Sequence, residues 1–176
     1  MIMGLGNVRA FYNVYKRLNV PVEIGDSPSK ILAASKLILP GVGSFDWAMT
    51  KLNNSGLRDS LEEAVLCSKV PVLGICVGMQ MMAKGSEEGK LSGLGWLNAN
   101  VKKFQSFSVK MPFPHMGWNT VGLGKGQLFN NIDEQARFYF LHSYYFDTND
   151  NNTILTETDY ACRFTSSVGF NNVYGV

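Results

Sequence analysis

A chain of 176 residues is the length of one domain and can bury a single substantial core. Its formal net charge of +2, with acids and bases scattered along the chain, provides no basic stripe of the kind a nucleic-acid binder needs, which leaves small molecules or another protein as partners. The longest apolar runs, at 36–40 and 70–75, fall far short of the roughly 20 residues of a membrane-spanning helix.

The opening residues have neither the basic region nor the apolar run of a secretory signal. Three cysteines, Cys67, Cys76 and Cys162, are widely spaced, with no Cys-x-x-Cys pair and no histidine cluster. That pattern argues against a disulfide framework and a zinc site, and it fits a reducing, cytoplasmic setting.

In chain order, apolar residues recur at helical spacing over 7–18 (Val8, Phe11, Val14, Tyr15, Leu18), and a short strand follows at 21–25. Ser27 and Pro28 open the next helix as cap and first-turn residue. A buried strand at 36–39 is broken by Pro40-Gly41-Val42-Gly43. Helical periodicity returns over 45–52 and 57–66, on either side of the breaker Asn53-Asn54-Ser55-Gly56. The strand 71–75 runs directly into Cys76 and a methionine-rich helix, so the first half alternates strands and helices as a parallel sheet requires. Beyond it, segments at 101–104, 118–121, 137–146, 153–158 and 164–176 are strand-like and joined by Gly, Asn and Asp turns, which suggests an antiparallel or mixed extension of that sheet.

Gly74-Ile75-Cys76-Val77-Gly78 carries most of the chemistry. A nucleophile with a glycine two residues before and after it, between a buried strand and a helix, matches a sharp turn in which the backbone passes so close to its neighbours that a Cβ would clash. The turn lifts the thiol out of the sheet and sets it at a helix N-terminus, where unpaired amides favour a thiolate. The carboxyl edge of a parallel sheet is also where open α/β sheets bind ligands. The same pattern suits a small buried apolar cysteine whose glycines only serve packing. Cys67 and Cys162 lack flanking glycines and read as packing residues.

Attack by a thiolate on a carbonyl creates an oxyanion that needs preorganised N–H donors. Two sources offer themselves: the amide of Val77, directly after the nucleophile, and the glycine loop at 40–43, whose backbone is free to turn its amides in or out. An ordinary strand-to-helix turn would use the same residues.

These blocks resemble the class I glutamine amidotransferases, and within them the glutaminase subunits of imidazole-glycerol-phosphate synthases. The similarity runs in order through Gly4-Leu5-Gly6-Asn7, the loop at 39–43, the run 71–80, Ser86-Glu87-Glu88, Gly93-Leu94-Gly95, the block 114–119, the block 138–144 and the closing 172–176. It implies a three-layer, flavodoxin-like α/β fold over 1–176 as a single domain, with a parallel central sheet and a mixed extension.

The resemblance further implies that L-glutamine is hydrolysed through a cysteine thioester, without a cofactor, and that ammonia passes to a synthase (cyclase) subunit in a heterodimer. Carried over position by position, Cys76 is the nucleophile. Val42, Gly43 and Val77 form the oxyanion hole, and Gly41, Gln80, Ser143 and Tyr144 hold glutamine. Asn7, His115, Met116, Trp118 and Asn119 meet the partner, although Trp118 also fits a buried strand aromatic.

Two departures set further expectations. The family's histidine and glutamate lie in a Gln-Phe-His-Pro-Glu segment after Tyr-Gly-Val, whereas this sequence reads only to Val176 and has only His115 and His142. A weak or inactive glutaminase, or a non-catalytic partner-binding subunit, follows from that reading, with His142 as a less favoured substitute base. A first buried strand is also expected to be missing, since only Met1-Ile2-Met3 precede the first block. A sugar-amidating relative in surface-polysaccharide synthesis remains the rival acceptor branch.

Overall fold

The computed structural model describes residues 1–3, 6–105, 111–122, 124, 126–133 and 135–176. Gly4 and Leu5, which open the first family block, lie outside this set. The strands are β1 (Ile2–Met3), β2 (Ile24–Gly25), β3 (Leu37–Gly41), β4 (Val72–Cys76), β5 (Asn100–Lys103), β6 (His115–Thr120), β7 (Arg137–His142), β8 (Tyr144–Asp147), β9 (Ile154–Tyr160), β10 (Cys162–Phe170) and β11 (Val173–Gly175). The helices are α1 (Val8–Arg17), α2 (Pro28–Leu32), α3 (Phe45–Asn54), α4 (Arg58–Glu62) and α5 (Val77–Gln80), with α4 continued by a π-helical turn at Glu63–Cys67.

The main sheet runs β2-β1-β3-β4-β11-β10-β8-β5, with β9 paired to β10. From β2 to β11 every pairing is parallel, and from β11 onward every pairing is antiparallel. The expected parallel sheet with an antiparallel extension is therefore observed. The parallel strand β3 is buried along its whole length, as a strand covered on both faces must be. One cluster of buried side chains joins Met3, Leu39, Phe45, Met49, Leu52, Leu61, Met82, Phe146 and Val168, so both halves of the sheet share a core.

Local chemistry explains the helix boundaries. The side chain of Asn7 accepts from Ala10 N and caps α1, and Ser44 does the same for α3 through Trp47 N. Ser27 stands at the N-cap of α2 with Pro28 after it, although its side chain makes no capping bond. The methionine-rich helix after Cys76 is a single turn of four residues, and Met81 and Met82 enter the core from the loop beyond it.

Ile2–Met3 forms a short strand that pairs with β2 on one side and β3 on the other. It is only two residues long, so the sheet offers α1 a short bed, and none of the α1 residues is buried despite their helical spacing. The strand-like segment 137–146 is two strands rather than one. It divides at Ser143, with β7 pairing β6 in a separate two-stranded ribbon and β8 joining the main sheet.

Leu52 lies fully buried near the C-terminal end of α3. Leu52→Ala is expected to cost about 2–5 kcal/mol of unfolding free energy in urea titrations, while leaving alkylation of Cys76 in the folded state at its wild-type rate.

Candidate active site

Three backbone segments converge on Cys76. Gly41 of β3 lies opposite Cys76 in register, and Val176 O accepts from Cys76 N at 2.8 Å, so the carboxyl end of β11 flanks the nucleophile on the other side. Between them the chain turns sharply, with Cys76 at φ 56°, a left-handed conformation that a side chain rarely adopts. Non-glycine residues are held there only where the surroundings dictate it. The surroundings here do: a Cβ on Gly78 would run into Leu39 O, one on Gly41 into Gly78 N, and one on Gly74 would approach Gly78 C to 2.8 Å. The elbow glycines are therefore required by close approach of β3, β4 and α5.

Cys76 is accessible from solvent, yet its sulfur is partly withdrawn from water. Burial pushes the thiol above its ordinary value and the negative charge of Glu88 pushes it the same way, while a hydrogen bond from the Val77 amide pulls it down. The expected thiolate bias of the helix N-terminus is thus outweighed. A single-turn helix has few aligned peptides, and desolvation penalises the charged form more strongly. The Val77 amide nevertheless faces the sulfur, which is where an oxyanion donor must stand. Val42 and Gly43 continue directly from Gly41, with Gly43 at φ 81°, so the loop named for the oxyanion hole borders the nucleophile.

On the antiparallel side, Gln80 is buried and its Nε2 reaches Tyr144 O at 3.5 Å, bringing two of the residues assigned to glutamine together. Ser143 lies between β7 and β8, and its carbonyl accepts from Phe104 N at 3.1 Å.

The Ser86-Glu87-Glu88 block has structural roles that its sequence did not disclose. Ser86 Oγ accepts from Glu88 N at 3.1 Å, Glu87 Oε2 accepts from Lys103 N at 2.8 Å and Glu88 Oε2 accepts from Phe45 N at 2.8 Å. In return Asp46 accepts from Lys90 N at 2.9 Å and Leu91 N at 3.0 Å. Each segment thereby caps the other, which fixes a carboxylate near the thiol. Asp46 was not singled out from the sequence, and Glu88 only as a member of a family block, without a role. The acidic residue at the start of a helix was the available signal for Asp46.

The ribbon β6–β7 separates the residues assigned to the partner. Met116 and Trp118 face outward, 62% and 61% exposed, opposite Leu141 and Tyr139, which are 59% and 56% exposed. This excludes the buried reading of Trp118 and adds two apolar residues to that face. Asn7 is exposed on the α1 cap. His115 is only 3% exposed and points inward, and the partly exposed Asn119 side chain reaches His115 and Asp159 O. Strand alternation accounts for this, since residues at odd positions of β6 face the core. His142 Nδ1 meets Tyr144 O at 2.8 Å and its Nε2 meets His115 Nδ1 at 2.9 Å. With both nitrogens engaged, His142 is not aimed at the Cys76 sulfur as a substitute base.

Comparison with known proteins adds to this geometry. The family model described as glutamine amidotransferase class-I matches residues 5–176. A Bdellovibrio bacteriovorus protein named imidazole glycerol phosphate synthase subunit HisH is 48% identical, over 98% of this chain and 86% of its own length. A Leptospira interrogans protein of the same name is 46% identical, also over 98% and 86%. Among solved structures, one described as a glutamine amidotransferase superposes with a TM-score of 0.73 at 17% identity, over 99% of this chain and 86% of that one. A Thermotoga maritima glutamine amidotransferase gives 0.68 at 17%, over 99% and 72%. These superpositions establish the fold.

Two outcomes are expected from the charged and titratable groups. Asp46→Ala should lower unfolding free energy by about 1–3 kcal/mol in urea titrations, because it strands amides that a carboxylate now satisfies. Burial, and then His142, lowers the His115 pKa from 6.5 to about 4. The unfolded chain therefore binds a proton before the folded one, and the contribution of His115 is complete above pH 6.5 and lost progressively down to about pH 4. The stability difference between wild type and His115→Phe, followed by thermal unfolding, should shrink across that window.

Proposed function

Because this chain belongs to the class I glutamine amidotransferases, we propose that it is the glutaminase subunit of an imidazole-glycerol-phosphate synthase, hydrolysing L-glutamine at Cys76 for histidine biosynthesis. The observation that carries the chemistry is the elbow: a sulfur held at positive φ, with the Val77 amide directed at it and the glycine loop beside it. The acceptor is supported by the relatives at 48% and 46% identity, both named HisH. They favour this branch over sugar amidation.

The reaction proceeds in two parts. The Cys76 sulfur attacks the side-chain amide carbon of glutamine, the oxyanion is met by the Val77 amide and the loop at Val42 and Gly43, and the C–N bond breaks to release ammonia as the thioester forms. Water then cleaves the thioester to glutamate and restores the thiol. Gly41, Gln80, Ser143 and Tyr144 hold the substrate, and the Glu88 carboxylate supplies negative charge on the side where an α-ammonium can be received. The thiol proton must pass, by way of a general base, to the departing nitrogen so that it leaves as ammonia. His142 and His115 are occupied by one another and are not assigned to that transfer. The outward face of Met116 and Trp118, with Tyr139 and Leu141, is the surface offered to the synthase partner, and Asn7 is assigned to the same contact. The three cysteines are unpaired, in keeping with a reducing cytoplasmic setting.

The test is covalent trapping with a diazo-ketone analogue of L-glutamine, followed by peptide mapping. Label should appear on Cys76, be suppressed by L-glutamine and vanish in Cys76→Ala. Because burial raises the thiol pKa, the thiolate fraction and the labelling rate should both keep rising with pH through the ordinary thiol range. A rate already flat at neutral pH, or a label elsewhere, would refute the assignment.

A further inference from the structure

The histidines His115 and His142 take no part in the chemistry above, yet their hydrogen bonds have only one consistent direction. The carbonyl oxygen of Tyr144 can only accept, so His142 Nδ1, 2.8 Å away, must carry the proton. Neutral His142 then presents a lone pair at Nε2, and His115 Nδ1, 2.9 Å away, must donate to it. His115 Nε2 is left as an acceptor facing Asn119 Nδ2 at 3.4 Å. The Asn119 amide is itself oriented, because its Oδ1 accepts from Thr120 N at 2.9 Å and its Nδ2 donates to Asp159 O at 3.2 Å.

The result is a one-way chain from Asn119 through His115 and His142 to Tyr144 O. That oxygen has a second lone pair, and Gln80 Nε2 reaches it from α5 at 3.5 Å. A second proton on the pair would set N–H against N–H, or against the Asn119 amide. The rings are also locked sterically. His115 is stacked between Phe140, at 4.7 Å, and Tyr160, at 3.8 Å, and His142 packs against Phe104 and Phe164 at 5.2 and 5.1 Å.

We infer that His115 and His142 are positioning residues of the glutamine site: a neutral, single-tautomer pair that fixes the Tyr144 carbonyl, and through it the Gln80 amide, relative to Cys76. The pair also ties this carbonyl to the ribbon, since His115 and His142 are cross-strand neighbours on β6 and β7, directly beside Met116 and Leu141 of the outer face. The inference rests on the reading that Gln80 and Tyr144 hold glutamine. Neither ring touches substrate, so losing the pair should weaken recognition and leave the reactivity of the sulfur alone.

The decisive comparison is His142→Asn against His142→Gln in the full chain. The Asn amide nitrogen lies where Nδ1 does and still donates to Tyr144 O, whereas the Gln amide lies where Nε2 does and cannot. Saturation kinetics of Cys76 labelling with the diazo-ketone analogue give KI and kinact separately, and the iodoacetamide rate gives the intrinsic reactivity of the thiol. His142→Gln is expected to raise KI about tenfold, the effect of one lost hydrogen bond to a buried acceptor. Its kinact and iodoacetamide rate should stay within about twofold, and His142→Asn should keep KI within about threefold of wild type.

Equal KI values for the two variants would overturn the inference. So would a parallel fall of kinact and iodoacetamide rate in His142→Gln, which marks general loosening. Failure of the wild type to label at Cys76, or of L-glutamine to protect it, would instead remove the glutamine reading and this inference with it. Normal wild-type labelling with both variants unaltered would remove only the positioning role.

Discussion

The site depends on how closely the backbone of β3 approaches the turn after β4. Leu39 O occupies the space that a Cβ on Gly78 would need, and the amide of Gly78 occupies the space that a Cβ on Gly41 would need. With three chain segments in contact at this distance, the only path from strand to helix bends through a left-handed residue, and Cys76 is that residue. The unfavourable φ is held by the strands on either side, which pair with β4 along its length. A cysteine held at positive φ at the sheet edge is thus a consequence of packing around glycines, and its strain, of order 1–3 kcal/mol for such a residue, is balanced by the core beneath it.

The same compactness sets the electrostatics. Crowding around the sulfur excludes water and raises the thiol pKa, and the nearby Glu88 reinforces this. That carboxylate is held by Phe45 N, while Asp46 holds the amides of Lys90 and Leu91. In the proposed site that charge is available to the α-ammonium of glutamine, and it makes the resting thiol harder to ionise. The Val77 amide is the counterweight the fold provides. On the antiparallel side, the groups proposed to hold glutamine are neutral: a buried Gln80 and a backbone carbonyl, with two rings behind them that share one proton direction.

Much of this was legible in the residues. Glycine spacing around Cys76 announced the elbow because glycine is tolerated where backbones touch, and β3 and β4 read as buried strands because both faces are covered. Ser27 and Pro28 marked the start of α2. What escaped the sequence was long-range. The break at Ser143 depends on which sheet each half joins, and no local signal separates β7 from β8. Glu88 acquires its place from Phe45, 43 residues away in sequence. His115 and Trp118 sit in one family block yet face opposite sides of β6, an alternation that becomes visible only once the strand is placed.

The central claim is that this turn presents one sulfur to an acyl carbon with an amide donor opposite. A crystal structure of the chain after reaction with the glutamine analogue would examine it most directly. The account predicts electron density continuous from Cys76 Sγ, with the ketone oxygen of the adduct turned toward the Val77 amide and its α-ammonium on the side of Glu88. An adduct on Cys67 or Cys162, or one on Cys76 with its oxygen turned away from that amide, would contradict it.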